Sequence, residues 1–171
     1  MPHANTAAYQ LAQLNIARLS APIDSPQLSD FVDNIDRINC LAESSAGFVQ
    51  RVPIASDDPE AHALFGPDYV VNLSVWQDAN ALYDFVYRHE HLQILRRKQE
   101  WFQSVNEAHM VLWWVPSSHC PDLVEASERL ATLRKLGPHP EAFTFRKRFD
   151  PPNPGDRPAQ SVQNPSAKEQ D

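Results

Sequence analysis

Glycine is scarce, four residues in a chain of 171, and this leaves no room for a phosphate-cradling loop, a dinucleotide fingerprint or a nucleophile elbow. Cysteine is scarcer still. Cys40 and Cys120 are too few and too far apart for a disulfide framework or a four-ligand zinc site. No apolar run reaches the ~20 residues that span a bilayer, and the opening MPHANTAAYQ lacks the basic, hydrophobic, small-residue order of a secretory signal. Positive charge is in deficit. With a formal net charge of −7, the only dense basic group, Arg146 to Arg148, adjoins an acidic, proline-rich end, which argues against a nucleic-acid partner. These absences together predict a cytoplasmic protein with neither membrane nor nucleic acid as partner.

What is present is enough for one core, since 42% of the residues are hydrophobic. Tyr9 to Leu14 reads as a strand. Ser25 and Pro26 then announce a helix whose apolar stripe, Leu28, Phe31, Val32, Ile35, Ile38 and Leu41, must pack on a sheet. A strand over Gly47 to Val52 ends at Pro53, and Ser56 to Gly66 reads as a loop. Tyr69 to Trp76 is a third strand, and Asp78 caps a helix with Leu82, Phe85 and Val86 inward, broken near Arg88 to Glu90. Ala108 to Val115, apolar on both faces, is read as a central strand. Asp122 to Leu136 is a helix stopped by Gly137, and Ala142 to Phe145 a last short strand. Residues 8–149 thus make one domain. Residues 1–7 form a flexible start, and 150–171, with five prolines and little apolar content, a disordered tail.

The order of strands and helices predicts a ferredoxin-like α+β fold, a split βαβ with an antiparallel sheet and helices on one face. If the other face is apolar, a second copy covers it and a homodimer follows.

Chemistry concentrates where the period changes from two residues to a helical one. In Tyr69 to Trp76 one face carries Tyr69, Val71, Leu73 and Val75, and the other Val70, Asn72, Ser74 and Trp76. An amide, a hydroxyl and an indole are costly to bury unpaired, so the second face is solvated, internally bonded, or the wall of a cavity. His91 shares a helical line with Ile94, Lys98 and Trp101 at the edge of an apolar stripe. An imidazole there is a candidate base for an acidic phenol or hydroquinone, or it simply satisfies a carbonyl or carboxylate. Trp76, Trp101, Trp113 and Trp114 either stack on a flat ligand or fill core, and His119, in a loop at a strand end, is the second histidine candidate. His89 and His91 point about 200° apart on a helix, so no metal site is assigned. Arg96 is expected to pair with Glu100 one turn on.

The run NLSVWQDANALYDFVYRHEH, with Trp76 ending a strand, Asp78 opening a helix and His91 on the helix that follows, resembles the dimeric α+β barrel proteins grouped with antibiotic-biosynthesis monooxygenases. With YQLAQLNIA, RRKQEWF, LWWVP and GPHPEAFTF it is similar to an uncharacterised branch of that superfamily, a domain-of-unknown-function family, across roughly Tyr9 to Phe145. The resemblance implies a homodimeric ferredoxin-like barrel. It also implies one of two chemistries, since relatives include cofactor-free monooxygenases of aromatic polyketides or quinols and haem degraders that use an asparagine, a tryptophan and a histidine. Trp76 and His91 match the strand-end tryptophan and the helix histidine, while the asparagine falls on Asn15 or Asn72. The YRHEH break and the paired Trp113 and Trp114 depart from the monooxygenase motif.

The expectation is a cavity for a small aromatic or hydrophobic molecule, with His91 as base and Asn72, Trp76, Trp101, Trp113 and His119 as binding residues. Cofactor-independent oxygenation of an aromatic or quinol-type substrate leads, with no cofactor required. The alternatives are noncatalytic metabolite binding and haem binding through His91.

Overall fold

The computed structural model describes residues 8–88 and 91–153, and of His91 the backbone alone. The expectations for 1–7, for His89 and Glu90 and for 154–171 lie outside the described residues. Four strands, β1 (Tyr9–Arg18), β2 (Phe48–Val52), β3 (Tyr69–Trp76) and β4 (Met110–Pro116), form one sheet in the order β2-β3-β1-β4. Every pairing is antiparallel. Together with α1 (Ser29–Glu43) between β1 and β2, and α3 (Ala79–Tyr87), α4 (His91–Arg96) and α5 (Lys98–Trp101) between β3 and β4, this is the ferredoxin-like split βαβ arrangement. The additions are α2 (Pro59–Phe65) and α6 (Leu123–Leu136). No described helix is long and apolar enough to cross a membrane.

Alternation along the strands sorts the sheet into two unlike faces. Ala12, Leu14 and Ile16 of β1 point the same way as Val71, Leu73 and Val75 of β3 and Val111, Trp113 and Val115 of β4. Onto this apolar face pack Ala61 from α2 and Leu123, Ala126, Leu130 and Leu133 from α6, the four positions of α6 set three or four residues apart. The opposite face carries Gln13, Asn15, Asn72, Ser74 and Trp76, and α1 and α3 lie on that side.

Several expectations are corrected here. Helices were expected on one face only, yet both faces carry them, so the apolar face is covered by α2 and α6 of the same chain. The stretch read as a loop over Ser56 to Gly66 contains α2. Its start was legible after all: Asp58 accepts from the Ala61 amide at 2.9 Å and Pro59 occupies the first turn, while buried Ala61 supplies the tertiary contact. Asp58→Ala is therefore expected to cost about 1 kcal/mol in urea unfolding, as loss of a capping side chain does. Strand β1 runs to Arg18 instead of Leu14, and β4 is an edge strand, not a central one. Its outer side is met by Phe143, whose amide and carbonyl bond Leu112 at 2.8 and 2.9 Å. Ala142 to Phe145 forms isolated bridges instead of a strand. Beyond Ser25 the chain first makes a 3-10 turn, Pro26–Leu28, and the Ser25 hydroxyl caps nothing.

The helix α1 departs most from its expected packing. Leu28 at its start and Ala42 near its end are buried, but Val32 stays exposed, and Phe31, Ile35 and Ile38 are only part-buried. The middle of the stripe stands off from the strands, while the C-terminal end of α1 meets β2, with Ala42 packed beside Leu11 and Trp76. Its N-terminal end is held by Leu19, Leu28 and Trp101 and by Arg97, which bonds Asp30 of α1 and Glu100 of α5. Arg97, not Arg96, takes Glu100, because α4 ends before the pair and the helical register restarts at Lys98.

These hydrogen bonds, with Glu100 first and Asp30 second, hold the Arg97 guanidinium well above its ordinary range. Arg97 holds the Glu100 carboxyl below the usual carboxylate range. A depressed carboxyl contributes stability that is complete above its unfolded pKa and disappears as pH falls through its folded one. Arg97→Gln is expected to return the Glu100 titration, followed by NMR, to the ordinary range, with little change in stability at neutral pH because both groups are solvent-screened.

Candidate functional site

The space left by α1 is a cleft of about 1140 Å³, large enough for a small molecule and open to solvent. Its floor is the polar face of the sheet, with Gln13, Asn15 and Ala17 of β1 beside Val70, Asn72, Ser74 and Trp76 of β3. Phe31, Ile35 and Ile38 of α1 form the roof. Phe85 and Val86 of α3 and Ile94 and Leu95 of α4 close one side, and Lys98, Phe102, His109 and Met110 another.

The floor is built from neutral hydrogen-bonding groups. Trp76 donates its indole N–H to Ser74 Oγ at 3.0 Å, and Ser74 Oγ donates to Gln13 Oε1 at 2.9 Å. Gln13 and Ser74, each 5% exposed, are buried polar residues placed opposite each other in the register. One step along, Asn15 faces Asn72. Asn15 lies mid-way along a central strand between buried Leu14 and Ile16, yet is exposed, because no described residue fills the space above it.

The expected site residues divide among three places. Asn72 and Trp76 line the cleft. Trp76 is a fixed wall and not a free stacking platform, since Phe85 stacks on it at 5.1 Å and Phe48 meets it edge-on at 5.3 Å. Trp101 is buried beside Leu19 and Leu28, under the Arg97 guanidinium 4.7 Å from its ring centroid, and anchors the start of α1. Trp113 and His119 lie on the far side of the sheet, which corrects their assignment to the cavity. Trp113 is on the apolar face and donates to Glu125 Oε1 at 2.9 Å, and His119 bonds the other oxygen of Glu125. That carboxylate pins a strand to α6. Helix α4 opens at His91, whose side chain lies outside the described residues.

Gln13 and His109 were missed. Ending β1 at Leu14 leaves out Asn15, and the pairs of Gln13 with Ser74 and Asn15 with Asn72 depend on the β1–β3 register, which alternation within one strand does not supply. His109 joins the rim only through the turn into β4. Of the described imidazoles on the cleft, His62 meets the Ser56 carbonyl at 2.9 Å and His109 that of Glu107 at 3.4 Å. Among the described residues no group of His, Cys, Asp and Glu is gathered to hold a metal.

Fold and cleft define a ferredoxin-like α+β protein with a solvent-open cavity between sheet and helices. The chain belongs to the family described as domain of unknown function DUF3291, whose model matches residues 10–159. No curated protein matches the sequence. Among solved structures it is similar to a protein of unknown function from Nitrosomonas europaea, at 12% identity and a TM-score of 0.44, over 67% of this chain and 95% of that one. SnoaB, a cofactor-independent oxygenase from Streptomyces nogalater, is similar at 16% identity and a TM-score of 0.44, over 68% and 98% of the two chains. A candidate antibiotic biosynthesis monooxygenase from Chloroflexus aurantiacus is similar at 11% identity and a TM-score of 0.41, over 67% and 98%.

Proposed function

We propose that the cleft binds a small, flat, mainly apolar molecule carrying oxygen functions, and that the protein oxygenates an aromatic or quinol-type substrate without a cofactor. The exposed Asn15 on the floor of a roofed cleft carries this reading, because it places a hydrogen-bonding amide at the sheet centre beneath a space large enough for a small molecule and walled by apolar helices. Apolar walls from α1, α3 and α4 suit a ring system, and the carboxamides of the floor suit its oxygens. The oxygenase part rests on the resemblance of the NLSVW to YRHEH run and assigns His91 the role of base, taking a phenolic proton to leave an electron-rich anion that reacts with dioxygen. The two exposed free thiols, Cys40 and Cys120, accord with a reducing, cytoplasmic setting.

Oxygen uptake on a panel of hydroquinones tests the chemistry. Wild type is expected to exceed the uncatalysed rate and His91→Ala to lose about 100-fold or more of that excess, as loss of a general base does. Equal uptake removes His91 as the base, and binding without uptake leaves a noncatalytic metabolite carrier. A Soret shift on haem titration would instead make the cleft a haem site. The homodimer implied by the resemblance would seat a partner against α2 and α6, where Val124 and Leu136 remain exposed, instead of against bare strands. Light scattering on the full chain reads its mass directly.

A further inference from the structure

We infer that Gln13 is the ligand-orienting donor of the cleft and selects molecules that present a carbonyl or phenolate oxygen to the sheet; this rests on the reading of the cleft as a small-molecule site. The direction of the hydrogen-bond chain follows from what each group can do. An indole N–H only donates, so Trp76 gives its hydrogen to Ser74 Oγ. The single Ser74 hydroxyl hydrogen then goes to Gln13 Oε1. The acceptor end of the amide is thereby committed to the protein, and its NH₂ end is turned away from Ser74.

That NH₂ group has no partner among the described residues, although Gln13 is 5% exposed and lines the cleft. Ser25 Oγ, not this NH₂ group, is the buried polar atom without a partner among the described residues, so the Gln13 NH₂ reaches the open space of the cleft, where a ligand oxygen could replace water as its acceptor. The amide is also prevented from turning over. Its sense is set by Ser74, and Ser74 by an indole held between Phe85 and Phe48. Three neutral side chains therefore aim a donor with no ion involved. A fixed donor favours acceptor oxygens over hydroxyl hydrogens, a distinction that apolar walls cannot make.

The test uses the full chain and calorimetric titration with three probes of one shape: naphthalene, 1,4-naphthoquinone with acceptor oxygens, and 1-naphthol with a donor. Wild type is expected to bind the quinone about three- to tenfold more tightly than naphthalene, the worth of a hydrogen bond. Gln13→Glu offers only acceptors and is expected to lose that preference and turn toward 1-naphthol. Should a carboxylate at this buried place prevent folding, Trp76→Phe keeps the stacking and removes the lock. It is expected to lower the quinone-to-naphthalene ratio, which is read within the variant and so does not depend on how a changed wall alters naphthalene affinity. An unchanged ratio in the folded variants overturns the donor role and leaves the cleft standing. Failure of wild type to bind any of the three probes overturns the cleft reading itself, and the donor role with it.

Discussion

Asn15→Trp is expected to abolish ligand binding while leaving the fold intact. The side chain at this position points from a central strand into open space, so an indole there fills the floor of the cleft without displacing core atoms. Tryptophan suits a pleated surface, and its area would be shielded by the apolar residues of α1, so the melting temperature should hold or rise. A molecule that needs the floor loses its place, which calorimetry should report as a drop of about 100-fold or more, roughly 2.7 kcal/mol. Retained affinity in a folded Asn15→Trp protein would mean that the ligand sits elsewhere and that the openness above β1 is incidental.

Trp113→Ala should do the reverse. Trp113 is fully buried between the sheet and α6, and its indole holds the carboxylate that also takes His119. Truncation leaves a cavity and removes a partner from Glu125, for an expected loss of about 3–5 kcal/mol in urea unfolding. Against the 5–15 kcal/mol typical of a domain, that is a large part of the total. Cleft binding by the fraction still folded should be unaffected, because the change lies across the sheet. A loss under about 1 kcal/mol, or a specific loss of binding, would contradict this separation of scaffold from site.

Much of the scaffold was legible because local rules sufficed for it. The faces of Tyr69 to Trp76, the cap at Asp78, the extent of α6 and the stop at Gly137 follow from period and end chemistry, which act within a few residues. The errors fell where partners are remote. Whether Ala108 to Val115 is central or at an edge depends on which strand it joins, and an apolar stretch reads the same whether strands or helices cover it. The tryptophans were indistinguishable as letters. Trp76 walls the cleft, Trp101 anchors α1 and Trp113 fills core, and only tertiary packing separates them.

By itself the sequence determined the four strands, the long helices, their order and hence the ferredoxin-like class, because hydrophobic period and capping are properties of short segments. Tertiary structure alone decided that the middle of α1 stands away from the strands, that α2 and α6 occupy the face a second copy was expected to cover, and that Gln13 answers Ser74 across the sheet. Those outcomes depend on contacts between residues far apart in the chain, 61 positions for Gln13 and Ser74 and 67 for Asp30 and Arg97, and no local pattern encodes which of several compatible surfaces will meet.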